Sequence, residues 1–287
     1  MNTPSRPRAT KIICTIGPAT DTSDMLGQLI EAGANVFRLN MSHSKHDWVR
    51  EVVFRIRRKA AELKANVAIL FDLQGPSIRT GDLLEPYHLK KGDTVEIRLG
   101  TAKPELPFST TVNYDGLLQD VQAGHTMVVD NGGILMRIAE VRPDRLICDV
   151  LTEGVFGSRR HINLPGVALR LPALTEKDLA DLAVAVECET DYVAMSFVRD
   201  AAHIAQLREH IDNLGGKAQI VAKIEDQQAV RHIDDIILAA DVIMVARGDL
   251  GIEVSIEELP IIQRRIVRHC HRLGRRCIVA THMLESM

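Results

Sequence analysis

The feature that most constrains this fold is an alternation between two apolar periods. Short β-rich apolar runs occur at 11–16, 35–39, 67–71, 192–197, 220–224, 242–245 and 277–280. Between most of them lie amphipathic stretches of helical period, at 23–32, 47–63, 176–186, 201–214, 228–239 and 256–273. Thr175 followed by Asp178, and Ser255 followed by Glu258, mark two helix starts with acids in the first turn. Strands that alternate with helices predict an α/β fold of parallel strands covered by helices. Between Asp82 and Pro165 the period changes to short strand-like runs (TVEIRL, TTVNY, TMVVD, ILMRIAEV, RLICDVL) broken by Gly, Pro and Asp. That block reads as a small all-β domain inserted after the third α/β strand. Seven α/β strands are present, enough for an open sheet and one short of an eight-stranded barrel.

The bulk chemistry narrows the partners. The 287 residues are 46% hydrophobic and 25% charged, with a formal net charge of −3, so there is no basic excess to neutralise nucleic-acid phosphates. Aromatic residues are 3% of the chain, which leaves few stacking platforms for bases or sugars. Five cysteines (Cys14, Cys148, Cys188, Cys270, Cys277) lack any Cys-x-x-Cys pairing and read as reduced thiols of a cytoplasmic protein. The polar start MNTPSRPRATK has no signal-peptide apolar core, and no apolar run reaches membrane-spanning length. A soluble protein of the cytoplasm, with neither nucleic acid nor membrane as partner, is expected.

Chemistry in such folds sits where the strands end. Here the second strand leads into Arg38, Asn40, Ser42 and His43, the third into Asp72 and Arg79, the fourth into Ser196 and Arg199. The fifth carries Lys223 and Glu225, two apart and so on one face of a strand. The sixth ends in Asp249 and the seventh in Thr281 and Glu285. Any one of these has a plain explanation, as a solvated rim charge or, for Asp249, a helix cap. The same polarity at six successive strand ends does not. Glu225 and Asp249 offer hard oxygen ligands suited to Mg²⁺, which takes one or two carboxylates and fills its shell with substrate oxygens and water. Gly248 lets backbone amides approach an anion, and Arg38 and Lys223 can neutralise a transferring phosphoryl group. Adjacent side chains on a helix diverge, so His269-Cys270-His271 is not read as a metal site. Arg247-Gly248-Asp249 also spells a cell-adhesion tripeptide, but it terminates an apolar run where adhesion needs an exposed loop tip.

TKIICTIGPAT, AGANVFRLNMSH, DLQGPSIRTG, INLPG, LPALTEKD, AKIED, IMVARGDLG and ATHMLESM resemble, in order, the successive motifs of the pyruvate kinases, from about Ala9 to Met287. The resemblance implies a (β/α)₈ TIM-type barrel, with seven strands present, carrying an inserted β-barrel lid. The domains become 1–81 for the first part of the barrel, 82–165 for the lid and 166–287 for its incomplete second part. The implied reaction is phosphoryl transfer from phosphoenolpyruvate to ADP, giving pyruvate and ATP with Mg²⁺ or Mn²⁺. Carried over by position, Glu225 and Asp249 would hold the divalent metal and Lys223 would stabilise the phosphoryl group in flight. Thr281 would serve the proton delivery that completes pyruvate. Ser196, Gly248 and Asp249 would help hold substrate. Arg38, Asn40, His43 and Arg160 would face nucleotide phosphates, with Pro18 on the adenine side.

This chain departs from the family pattern in four places. Asp72-Leu73-Gln74-Gly75-Pro76-Ser77 replaces Asp-Thr-Lys-Gly-Pro-Glu, whose glutamate is associated with K⁺ dependence. The residues resembling K⁺ ligands, Asn40, Ser42 and Asp72, remain, with Leu73 as a further candidate K⁺ position, and the reading leans towards K⁺ independence. His282 stands where glutamine is usual, and Asp130-Asn131 where two aspartates are usual. The family also continues beyond this point with an eighth strand and a C-terminal domain that carries effector and tetramer contacts. A full-length homotetramer is therefore expected, and this chain reads as cut short. Two alternatives stand beside the kinase: an inactive fragment of the same enzyme, and a Mg²⁺-dependent carbon–carbon lyase acting on pyruvate enolates.

Overall fold

The computed structural model describes residues 9–281. In chain order the elements begin β1 (Ile13–Ile16), α1 (Ser23–Glu31), β2 (Val36–Asn40), α2 (His46–Glu62) and β3 (Ala68–Asp72). A strand-rich block follows: β4 (Tyr87–Leu89), β5 (Thr94–Arg98), β6 (Ser109–Thr111), α3 (Leu117–Asp120), β7 (Thr126–Val129) and β8 (Ile134–Val141). It finishes with β9 (Arg145–Val150), β10 (Gly154–Phe156) and β11 (Ile162–Asn163). The alternation then resumes with α4 (Glu176–Glu187), β12 (Tyr192–Met195), α5 (Ala201–Asn213), β13 (Gln219–Ile224), α6 (Gln227–Arg231) and α7 (Ile233–Ala239). The last elements are β14 (Val242–Ala246), α8 (Arg247–Glu253), α9 (Leu259–Arg272) and β15 (Arg276–Ala280).

The α/β expectation is met. Seven strands form one sheet in the order β1-β2-β3-β12-β13-β14-β15, which is chain order once the inserted block is set aside. The pairings β1–β2, β2–β3, β3–β12, β12–β13 and β14–β15 are all parallel. The inserted block forms a six-stranded sheet, β11-β7-β8-β9-β5-β6, and a two-stranded one, β10-β4.

The described residues group into two compact units. The first holds the chain up to Gly75 together with Leu174–Ser196 and Ile204–Ala222. Its strand β3 is buried from Ile69 to Asp72, as a strand in a helix-covered parallel sheet is, whereas β2 alternates buried apolar residues with the half-buried Arg38 and Asn40. Phe37, Leu39, Ile69, Phe71 and Val193 are wholly buried. Register aligns Asn40 with Asp72, so polar residues end β2 and β3 at one level, and it sets Ala194 of β12 beside them. α4 starts at a capping box: Thr175 accepts from the Asp178 amide, and the Asp178 carboxylate accepts from the Thr175 amide and hydroxyl. The same carboxylate accepts from the Gly75 amide at 2.9 Å, fixing a turn that needs a left-handed residue (φ 71°).

The second unit holds Pro76–Ala173, Phe197–His203 and the chain from Lys223 onward. Its β-rich part packs around Val95, Ile97, Met127, Val129, Met136, Ile138, Leu146 and Cys148. Strand alternation alone would turn Glu96 to solvent, yet it is fully buried. It accepts from Arg145 at 2.9 Å and from the Glu105 and Leu106 amides, so charge pairing and a loop clamp replace water. The single helix expected over 228–239 is instead broken at His232, whose ring bonds the Arg199 carbonyl at 3.0 Å. The helix expected from Ile256 begins at Leu259. Ser255 opens a turn instead, and Pro260, which lacks an amide hydrogen, takes the first helical turn. Among the described residues no helix is long and apolar enough to cross a membrane.

Asp178→Ala leaves three donors without their acceptor and is expected to cost about 2–4 kcal/mol in urea unfolding, against about 1 kcal/mol for Thr175→Ala. The reverse ranking would contradict the role given to the Gly75 bond.

Candidate active site

β13 carries Lys223, and Glu225 follows its last residue. The two side chains share a face, and Lys223 Nζ lies 2.8 Å from Glu225 Oε1. The other carboxylate oxygen accepts the Phe197 amide at 2.7 Å. Phe197 has φ 54°, a left-handed conformation that costs an aromatic residue about 1–3 kcal/mol. Glu225 is only 2% exposed. Burial pushes its carboxyl up to about 7, with Lys223 opposing and the charge of Asp249 adding to the rise. Glu225 is thus withdrawn from water while it lies in the field of a second carboxylate.

Asp249 lies in the first turn of α8, directly after the fully buried β14. Burial holds His161 below the ordinary imidazole value, and the charge of Asp249 opposes the shift. The Gly248 amide, expected to be open to an anion, donates to Thr281 Oγ1 at 2.9 Å. Thr281 also has a left-handed backbone (φ 59°), and its carbonyl accepts from Arg247 Nε at 3.1 Å. The ends of β14 and β15 are therefore laced together through Arg247, Gly248 and Thr281. Arg247, at the end of an apolar run, thus serves the neighbouring backbone.

Arg160 Nη1 lies 3.3 Å from Asp130 Oδ1, while its Nε finds no acceptor among the described residues. A Cβ on Gly157 would come within 2.7 Å of that Nε, so glycine leaves the guanidinium its room. Arg79 donates to the Arg159 carbonyl at 3.1 Å.

In the first unit, Arg38 Nε and Nη2 both lie 2.6 Å from Asp72 Oδ2, and Nη1 donates to Thr15 at 2.9 Å. Asn40 Oδ1 accepts the Ser42 amide at 3.1 Å. Ser196 donates to the Leu73 carbonyl at 2.8 Å. Pro18 and His43 are exposed. Among the described residues no three or more His, Cys, Asp or Glu gather as a metal-ligand set. His269 pairs with Asp234, Cys270 is buried and His271 is exposed, so that run diverges. His282 and Glu285 lie outside the described residues.

Sequence reasoning passed over Phe197 and Glu253. Phe197 acts through its amide, which no side-chain pattern reveals. Glu253 stands four residues after Asp249, one helical turn on, and that spacing was a usable signal.

The family described as pyruvate kinase, barrel domain, matches this chain over residues 7–287. Plastidial pyruvate kinase 2 of Arabidopsis thaliana is 41% identical over 99% of this chain and 49% of its own length. A pyruvate kinase of Clostridium perfringens is 40% identical over 97% of this chain and 59% of its own length. One of Geobacillus stearothermophilus is 40% identical over 98% of this chain and 48% of its own. The chain spans about half the length of the curated relatives it matches.

Glu253, at the end of α8, supplies a pH response. Burial, with the Asp226 charge adding, raises its carboxyl from 4.5 to about 7, against a bond from the Gly166 amide. Between those values the folded chain keeps a proton that the unfolded chain releases, so stability falls as pH rises and then levels off. Glu253→Gln is expected to remove its own share of that fall, leaving the share that the Glu225 carboxyl contributes over the same window, and to stabilise the protein at pH 8 by on the order of 3 kcal/mol. Urea midpoints of both proteins across the window test it, and an unchanged fall in the variant would contradict it.

Proposed function

Because the chain belongs to the pyruvate kinase family through its barrel domain, we propose that it carries the phosphoryl-transfer centre of an enzyme converting phosphoenolpyruvate and ADP to pyruvate and ATP. The observation that carries this reading is the buried Lys223–Glu225 pair in the field of Asp249. A buried carboxylate pushed upward by a second acid suits a site that expects a divalent cation, and the donor chemistry fits Mg²⁺ or Mn²⁺. Glu225 and Asp249 would hold that ion, which when bound supplies charge neutralisation for the phosphoryl and carboxylate oxygens.

The rest falls to the chain's own side chains. Lys223, 12% exposed and 2.8 Å from Glu225, is a fixed cation that can neutralise the phosphoryl oxygens as they leave the enol oxygen. Thr281 holds the Gly248 amide and is the proposed participant in delivering the proton that turns enolpyruvate into pyruvate. Ser196, Gly248 and Asp249 are proposed to help hold the substrate. Arg38, Asn40, His43, Pro18 and Arg160 are the proposed nucleotide contacts. The unsatisfied Nε of Arg160 supports its part, since it is a donor in want of an acceptor. Asp72 already has Arg38 as counter-charge, and Ser77 replaces the acid of the family pattern. Both support K⁺ independence, with Asn40, Ser42, Asp72 and Leu73 as the K⁺ positions otherwise. Five cysteines without disulfides support a reducing, cytoplasmic setting. A homotetramer is proposed for the longer form by the family resemblance. The inserted β-rich block and Lys223 favour a kinase over the enolate lyase.

Lys223→Met is expected to lower phosphoryl transfer by at least about 10²–10³-fold, in line with the loss of one preorganised charge at the reacting group. Proton exchange at the methyl carbon of added pyruvate, followed by NMR, should persist in that variant. Equal loss of both activities would show that the role given to Lys223 is wrong.

A further inference from the structure

A cavity of about 290 Å³ lies wholly within the second unit. One side is apolar, with Pro76, Ile78, Leu164, Val167, Leu169 and Phe197. The polar lining includes Asn163, Glu225, Asp226 and Glu253. Arg231 and His232 also reach it but are exposed. The buried cation there, Arg199, spends Nη1 on the Leu169 carbonyl at 2.7 Å and Nη2 on the Leu171 carbonyl.

Among the buried and half-buried charged side chains of this lining three carboxylates face one guanidinium, with His161, Gln227 and Gln228 as further polar groups. Glu225 has Lys223 and Phe197, and Asp226 accepts the Ala229 amide at 2.7 Å. Among the described residues the Glu253 carboxylate has only a backbone amide, from Gly166, against its burial and the Asp226 charge. Asn163 is the second, independent sign. It is 7% exposed, and its Oδ1 accepts no hydrogen bond among the described residues. A buried carbonyl oxygen without a donor costs about 1–3 kcal/mol, so it marks a place where something else is meant to donate.

We propose that this cavity binds a small organic cation, a compact apolar body bearing one ammonium or amidinium group whose N–H donors serve Asn163 and Glu253. The apolar side argues against a bare metal ion, which would want water and oxygen all round. The volume lies at the lower end of small-molecule sites and suits a single-ring ligand. This inference does not require phosphoryl transfer. It shares only the Glu225 wall with the proposed metal site.

The test is titration of benzamidinium chloride into the whole chain at pH 8, followed by ligand-observed NMR, with neutral benzamide as control. Saturable binding of benzamidinium and no competition by benzamide are expected. Glu253→Gln should weaken binding about tenfold or more, the worth of one charge-assisted hydrogen bond. Asn163→Asp, which adds a negative charge, should tighten it, and a gain of that kind does not arise from misfolding. Absence of saturable binding, equal affinity for benzamide, or no response to either substitution would overturn the proposal. Added Mg²⁺ separates the two sites. A benzamidinium affinity that is unchanged or falls to a plateau supports a distinct cavity, whereas one that weakens in proportion to Mg²⁺ without limit would place the probe in the metal's own position and overturn it.

Discussion

The second unit is organised around one costly act, the removal of the Glu225 carboxylate from water. An isolated buried charge is not sustainable, so the surroundings must compensate it or the group must take up a proton. Here compensation comes from Lys223 on the same strand face and from a Phe197 amide held in a left-handed backbone. Asp249 works against both, and the outcome is a carboxyl pushed up to about 7. Such an arrangement makes little sense as a stabilising salt bridge, because the second acid undoes part of what the lysine provides. It is intelligible as half of a cation site, in which the missing charge belongs to a ligand.

The scaffold places these groups by simple means. β14 is buried along its whole length, so the first residues free to carry charge are those after Ala246, where α8 begins. Lacing through Arg247, Gly248 and Thr281 ties that turn to the end of β15. In the first unit the parallel register of β2, β3 and β12 sets Asn40, Asp72 and Ala194 at one level, and Arg38 answers the buried Asp72 charge. Two of the left-handed residues outside glycine, Phe197 and Thr281, fall at strand ends bearing proposed functional groups, where backbone strain tends to collect.

Much of this was legible in the sequence. The seven strands appear within two residues of their expected limits, because each is a short apolar run closed by polar residues. The capping box at Thr175 was readable from the Thr-x-x-Asp spacing. What was not legible depended on partners distant in the chain. The break at His232 follows from the Arg199 carbonyl 33 residues away, and the burial of Glu96 from Arg145 across the sheet. Ser255 followed by Glu258 looked like a helix start, but Pro260 shifts the first turn. Lys223 and Glu225 could be placed on one face by their spacing. The amide of Phe197 that completes the pair could not, since backbone donors leave no trace in composition.

The most direct measurement is Mn²⁺ binding, followed by electron paramagnetic resonance on the wild-type chain and on Glu225→Gln and Asp249→Asn. The expected result is saturable Mn²⁺ binding in the wild type that each substitution strongly weakens, with the fold intact by circular dichroism. Mn²⁺ binding of equal strength in all three proteins would show that these two carboxylates are not the cation site, and that the charge arrangement around Glu225 serves some other end.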